Sequence, residues 1–137
     1  MVKNRVMIVD DDEFVIEMYK TVIDLMPGKD YAVTEISANE ALRKLEKFNR
    51  NNAGKFPDYI LLDLRMPEMH GFDFIKKFIE KFPDKTDTTD FIITTSSVMK
   101  AEKEEASKFS CVKEYLTKPI PFDYIETIIN EGLPAGC

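Results

Sequence analysis

Four apolar residues in a row, Tyr59-Ile60-Leu61-Leu62, end abruptly on Asp63. A run so short and so uniformly apolar fits a central strand of a parallel sheet, covered on both faces by helices. The rest of the chain repeats this theme, with brief apolar runs alternating with longer amphipathic ones, as in βαβ units. A first strand is expected near Arg5–Asp10, carried by Val6, Met7, Ile8 and Val9. A helix follows from about Glu13 to Leu25, with Val15, Met18, Tyr19, Val22 and Ile23 at helical spacing. Asp12 is placed to cap its start, and Pro27-Gly28 closes it.

Tyr31–Ile36 alternates and reads as a second strand. Ser37 or Asn39 caps a helix reaching about Phe48, with Ala41, Leu42 and Leu45 facing inward, and Asn49–Pro57 is a loop. Beyond the central strand come a helix over about Phe72–Phe82, a polar loop at Pro83–Asp90 and a strand at Phe91–Thr95. A helix at Ala101–Phe109, a strand at Glu114–Thr117 and a helix at Pro121–Asn130 complete the pattern. Pro121 suits a first turn, where its missing N–H costs nothing. With no repeat and no linker, residues 1–137 are expected to form one (βα)₅ domain with no effector domain attached.

Charge narrows the partners. Nineteen basic against 25 acidic residues give a net charge of −6, so no basic stripe is available for a nucleic-acid backbone or an anionic membrane. Cys111 and Cys137 stand far apart with no CxxC or Cys/His cluster, which indicates neither a disulfide framework nor a zinc site. The amino-terminal stretch lacks the apolar core of a signal peptide, and no run approaches the roughly 20 residues of a membrane span. A cytoplasmic location is the expectation.

In an open parallel sheet, ligands bind beyond the carboxyl ends of the strands. Sorted by that rule, Asp10 and Asp11 end strand one, Asp63 ends strand three, Thr94-Thr95-Ser96 end strand four, and Lys118 ends strand five. Three carboxylates at one edge repel unless a cation compensates them, and Mg²⁺ prefers such oxygen donors. A carboxylate there can act as a nucleophile toward phosphorus, with the metal and a lysine balancing charge on the transferred group. Asp12 reads as a helix cap. His70, the sole histidine, lies in a turn where nothing in the sequence orients it.

Val9-Asp10-Asp11-Asp12, the run from Leu62 and Asp63 through Met66-Pro67 to Gly71, Thr95-Ser96-Ser97 and Tyr115-Leu116-Thr117-Lys118-Pro119 resemble the signature blocks of two-component response-regulator receivers. The blocks cover nearly the whole chain, in order. The resemblance implies a three-layer α/β, flavodoxin-like fold with a parallel five-stranded sheet of order 2-1-3-4-5. It implies that Asp63 accepts a phosphoryl group from a phosphohistidine on a sensor histidine kinase or histidine phosphotransfer protein. Asp11, Asp63 and the backbone carbonyl of Arg65 would ligate Mg²⁺, with Asp10 acting through water. Lys118 would pair with the phosphoryl group, and the bond before Pro119 would be cis. Thr95 is implied as the switch hydroxyl and Tyr115 as its aromatic reporter. Counting back from Lys118 instead gives Ser96, so both hydroxyls stand as candidates. Output would pass through helix four, strand five and helix five to another protein.

Two other functions compete with this one. A haloacid-dehalogenase-like phosphohydrolase also uses an aspartate nucleophile, but Phe14 breaks its motif and its later acidic block is missing. A degenerate receiver serving as a scaffold fits poorly with a full set of acidic and basic site residues.

Overall fold

The computed structural model describes residues 3–121 and 123–133. Five strands, β1 (Val6–Val9), β2 (Ala32–Glu35), β3 (Tyr59–Asp63), β4 (Asp90–Thr95) and β5 (Val112–Thr117), alternate with five helices. These are α1 (Glu13–Asp24), α2 (Ala38–Asn51), α3 (Gly71–Lys81), α4 (Lys100–Ala106) and α5 (Tyr124–Glu131). The strands form one parallel sheet in the order β2-β1-β3-β4-β5. This is the expected order, and it leaves β3 with a neighbour on each side.

Alternation along each strand divides the core. Met7, Val9, Ile60, Leu62, Phe91 and Ile93 point to one face, under α2, α3 and α4. Val6, Ile8, Leu61 and Ile92 point to the other, under α1 and α5. The first layer is rich in aromatic residues. Phe78 meets Phe91 edge-on at 5.0 Å between ring centroids and Phe82 at 5.2 Å, while Phe56 lies 5.5 Å from Phe82. Such tilted pairs add roughly 0.5–1.5 kcal/mol each to the area they bury, and here they anchor α3 beneath the central strands.

Register decides where the chemistry lands. Val9 lies opposite both Glu35 and Leu62, Asp63 opposite Thr94, and Thr95 opposite Thr117. Asp10, Asp63, Thr95 and Lys118 therefore leave the sheet along one edge. At the opposite edge, the Asn4 N–H donates to Ile129 O at 2.7 Å and the Leu133 N–H to the Tyr59 hydroxyl at 3.2 Å.

Several expected boundaries shift, each for a visible reason. Helix α5 begins at Tyr124, so Pro121 lies before it, accepting from the Tyr124 N–H at 3.1 Å instead of forming the first turn; Phe122 lies outside the described residues, as does Cys137. Strand β5 starts two residues early, because Val112 pairs with Phe91 while Glu114 pairs with Ile92, which makes Lys113 a bulge. Helix α4 stops at Ala106, and its last turn unwinds through Ser107, whose hydroxyl donates to Glu104 O at 2.6 Å. Helix α2 runs on to Asn51, and the expected loop after it contains a short 3-10 turn at Ala53–Lys55. Ser37, not Asn39, caps α2, and α3 starts at Gly71 behind a His70 cap.

Gly71 seals the turn that follows Asp63. Its N–H donates to Leu64 O at 2.8 Å, and a Cβ there would lie 2.9 Å from Leu64 Cα and 3.0 Å from Asp63 O. Backbone cannot retreat as a side-chain tip can. Gly71→Ala is expected to destabilise the domain by about 1–3 kcal/mol, as overpacking does, read as a fall in the urea midpoint.

Candidate functional site

Asp10 leaves β1 with its N–H held by Glu35 O at 3.2 Å and is 1 % exposed. Its Oδ1 accepts the Asp12 N–H at 3.0 Å, which tightens the turn into α1. Asp12 turns outward and caps that helix, accepting from the Phe14 and Val15 N–H groups. Asp63 is also buried, and one carboxylate oxygen from each of Asp10, Asp11 and Asp63 lies within 4.8 Å of the others.

Lys118 answers this charge from β5. Its N–H donates to Thr95 O at 2.8 Å, and the Lys118–Pro119 bond is cis. Lys118 Nζ reaches Asp10 Oδ2 at 2.6 Å and stands 3.6 Å from Asp63 Oδ1. Burial works against its positive charge, but the hydrogen bond to Asp10 and the fields of Asp10 and Asp63 outweigh it and raise its pKa. Asp63 fares otherwise. Burial and then the Asp10 charge push it up to about 6, only partly offset by Lys118. Three carboxylates against one ammonium leave two negative charges unbalanced, in a space that fits a divalent cation with oxygen ligands.

Thr95 is buried at the end of β4, and its Oγ1 accepts the Ser97 N–H at 3.0 Å. Ser96, between them, is exposed. Tyr115 is half-buried, and its hydroxyl is out of water with no hydrogen-bond partner among the described residues. Burial and then Glu102 raise the Tyr115 pKa, while Arg65 lowers it.

Sequence reasoning missed a second polar cluster beside this one. Glu102 of α4 accepts from the Ser97 hydroxyl and from the Arg65 guanidinium at 3.0 Å, and its other oxygen lies 3.6 Å from His70 Nε2. The Ser97 hydroxyl first, opposed by burial and supported by Arg65, holds the Glu102 carboxyl below its usual range. His70 does more than fill a turn: its Nδ1 accepts the Phe72 N–H at 3.1 Å and caps α3. No sequence signal marks Glu102 among the charged residues of α4. On the other flank, Phe14, Val15, Met18, Tyr19 and Val22 of α1 face Pro119, Ile120 and Pro121 across an apolar groove of about 400 Å³ that reaches Lys118.

Residues 6–130 match the family model described as response regulator receiver domain. The chain is 31 % identical over 105 residues to the sensor histidine kinase CheAY of Helicobacter pylori, covering 77 % of this chain but only 12 % of that protein. It is 28 % identical over 127 residues to the chemotaxis protein CheY of Thermotoga maritima, covering 93 % of this chain and 95 % of that one. It spans half the length of another relative, a probable C4-dicarboxylate response regulator of Halalkalibacterium halodurans. The crystal structure of a two-component response regulator from Cytophaga hutchinsonii superposes with a TM-score of 0.80 at 23 % identity, over 96 % of this chain and 98 % of that one.

A folded pKa raised from 3.8 to about 6 means that folding favours the protonated Asp63. That contribution is complete below pH 3.8 and is lost as pH rises through about 6. At neutral pH without metal, Asp63→Asn is therefore expected to stabilise the chain by about 2 kcal/mol. Thermal unfolding from pH 4 to pH 8 checks this, and added Mg²⁺ should narrow the gap by stabilising the wild type more than the variant.

Proposed function

The chain belongs to the response regulator receiver domain family, and from that premise we propose that Asp63 is the carboxylate that receives the phosphoryl group. Phosphoacceptance in two-component signalling is the function of this family. The single observation that most supports the choice of residue is the convergence of Lys118 and two further carboxylates on a buried Asp63 at the sheet edge.

The donor is proposed to be a phosphohistidine on a sensor kinase or phosphotransfer protein. An Asp63 carboxylate oxygen attacks phosphorus in line. The P–N bond to the donor imidazole breaks, its electron pair returns to the ring nitrogen, and an aspartyl phosphate remains. Asp63 must be ionised to attack, and the burial that raises its pKa makes a compensating cation valuable. Asp10, Asp11, Asp63 and the Arg65 carbonyl would hold Mg²⁺, which when bound supplies positive charge to the phosphoryl oxygens.

Lys118, drawn by Asp10, is placed to shift part of its hydrogen bonding to the new dianion. Thr95 is proposed as the hydroxyl that donates to it, since Thr95 is buried at the strand end and Ser96 faces solvent. The donor would approach over the apolar groove of α1, where Phe14 is 74 % exposed beside the site. Tyr115 would carry the change to the α4-β5-α5 face, read by a protein partner rather than by nucleic acid. The chain thus acts as a signalling module that dephosphorylates itself slowly.

Incubation with acetyl phosphate and Mg²⁺ is expected to label the protein once per chain. Asp63→Asn should abolish the label, and Lys118→Ala should slow labelling by about 10²-fold, the size of one lost charge-stabilising group. Thr95→Ala should change labelling or label lifetime more than Ser96→Ala. Repeated turnover of small phosphomonoesters would instead mark a phosphohydrolase, and no label with no response to metal would mark a scaffold.

A further inference from the structure

Helix α4 is the least anchored of the five. It has seven residues, Ala106 is its one buried side chain, and Met99 at its start offers no side-chain cap. Val98 and Met99, just before it, are 87 % and 53 % exposed. Apolar burial therefore does little to fix where this helix lies, and such elements occupy the low-stability end of a fold. Its position is held by polar contacts instead, and these converge on Glu102.

We propose that Glu102 is a positioning residue that latches the resting state, its carboxylate tying the loop after β3, through Arg65 and His70, to the loop after β4, through Ser97. The connection to the site is short. Thr95 Oγ1 accepts the Ser97 N–H at 3.0 Å, and the Ser97 hydroxyl donates to Glu102. The Met99 N–H donates back to Ser97 Oγ at 3.2 Å. A Thr95 hydroxyl drawn toward a phosphoryl oxygen pulls on Ser97, and Ser97 cannot move without disturbing the bond to Glu102. The Glu102 side chain is 13 % exposed, so its bonds are shielded more than those of a surface pair.

Tyr115 gives the latch a competitor. Its hydroxyl is buried and unpartnered among the described residues, and both Glu102 and Arg65 are close enough to influence it. Opening the latch frees a carboxylate or guanidinium to meet that hydroxyl or lets the ring leave its site. Either outcome removes an unsatisfied group, so release is coupled to the movement of Tyr115. The two states differ in these contacts, as a population shift requires. This inference rests on the role proposed for Thr95.

The test uses the full chain with Mg²⁺ and compares wild type, Glu102→Gln and Ser97→Ala by amide hydrogen exchange and proton–nitrogen NMR. Before any phosphoryl mimic is added, Glu102→Gln is expected to speed exchange over residues 97–106 roughly tenfold, the scale of one lost charge-assisted hydrogen bond. The amide signals of Thr95, Ser97 and Tyr115 should move part-way toward their positions in beryllofluoride-loaded wild type. Beryllofluoride should bind Glu102→Gln several-fold more tightly, and Ser97→Ala should shift all three readouts the same way by less. The latch is overturned if both variants keep wild-type affinity for beryllofluoride, whether or not exchange quickens, since Glu102 would then be only a support for α4. A wild-type spectrum that ignores beryllofluoride would overturn the reading of Asp63 itself, and the latch with it.

Discussion

The Lys118 ammonium, 2.6 Å from Asp10 and 3.6 Å from Asp63, is what allows carboxylates to crowd the end of an apolar sheet. Both aspartates are nearly sealed from water, and an uncompensated buried charge costs several kcal/mol. One cation for three carboxylates leaves the site short of positive charge. Burial first, and then that shortage, raise the Asp63 pKa, make a divalent cation welcome, and leave the resting site less stable than its neutral variant would be. Sites tuned for chemistry commonly carry such a cost.

The sheet supplies the precision. Leu62 is locked between Val9 of β1 and Ile93 of β4, Asp63 is paired with Thr94 of β4, and Gly71 closes the next turn against Leu64 and Asp63. The aromatic layer under α3 fixes the floor. Among the described residues nothing comparable holds α4, so the two neighbours of the site differ in kind: one is set by packing, the other by a carboxylate.

The central strand, the sheet edge and the cluster of Asp10, Asp11, Asp63 and Lys118 were legible in the sequence, because apolar runs that stop on charged residues mark both a buried strand and its reactive end. The start of β5 was not legible, since the bulge at Lys113 breaks the alternation. The start of α5 was not either, because a proline that suits a first helical turn suits the turn before it equally well. Glu102 was hidden for a different reason. Its importance comes from Ser97, Arg65 and His70, which lie near it only after folding, and among the lysines and glutamates of α4 its type says nothing. His70 likewise became a cap only once α3 was seen to start at Gly71.

The pairing of Asn4 with Ile129 and of Leu133 with Tyr59 puts both ends of the described chain at the amino edge of the sheet. Asp63 stands at the far end of β3, four residues beyond Tyr59 and on the order of 13 Å away. A change of charge at Asp63 would have to cross the full depth of a close-packed core to reach that edge. A partner seated on the flank of α4 and β5 would be only a side chain or two from the event.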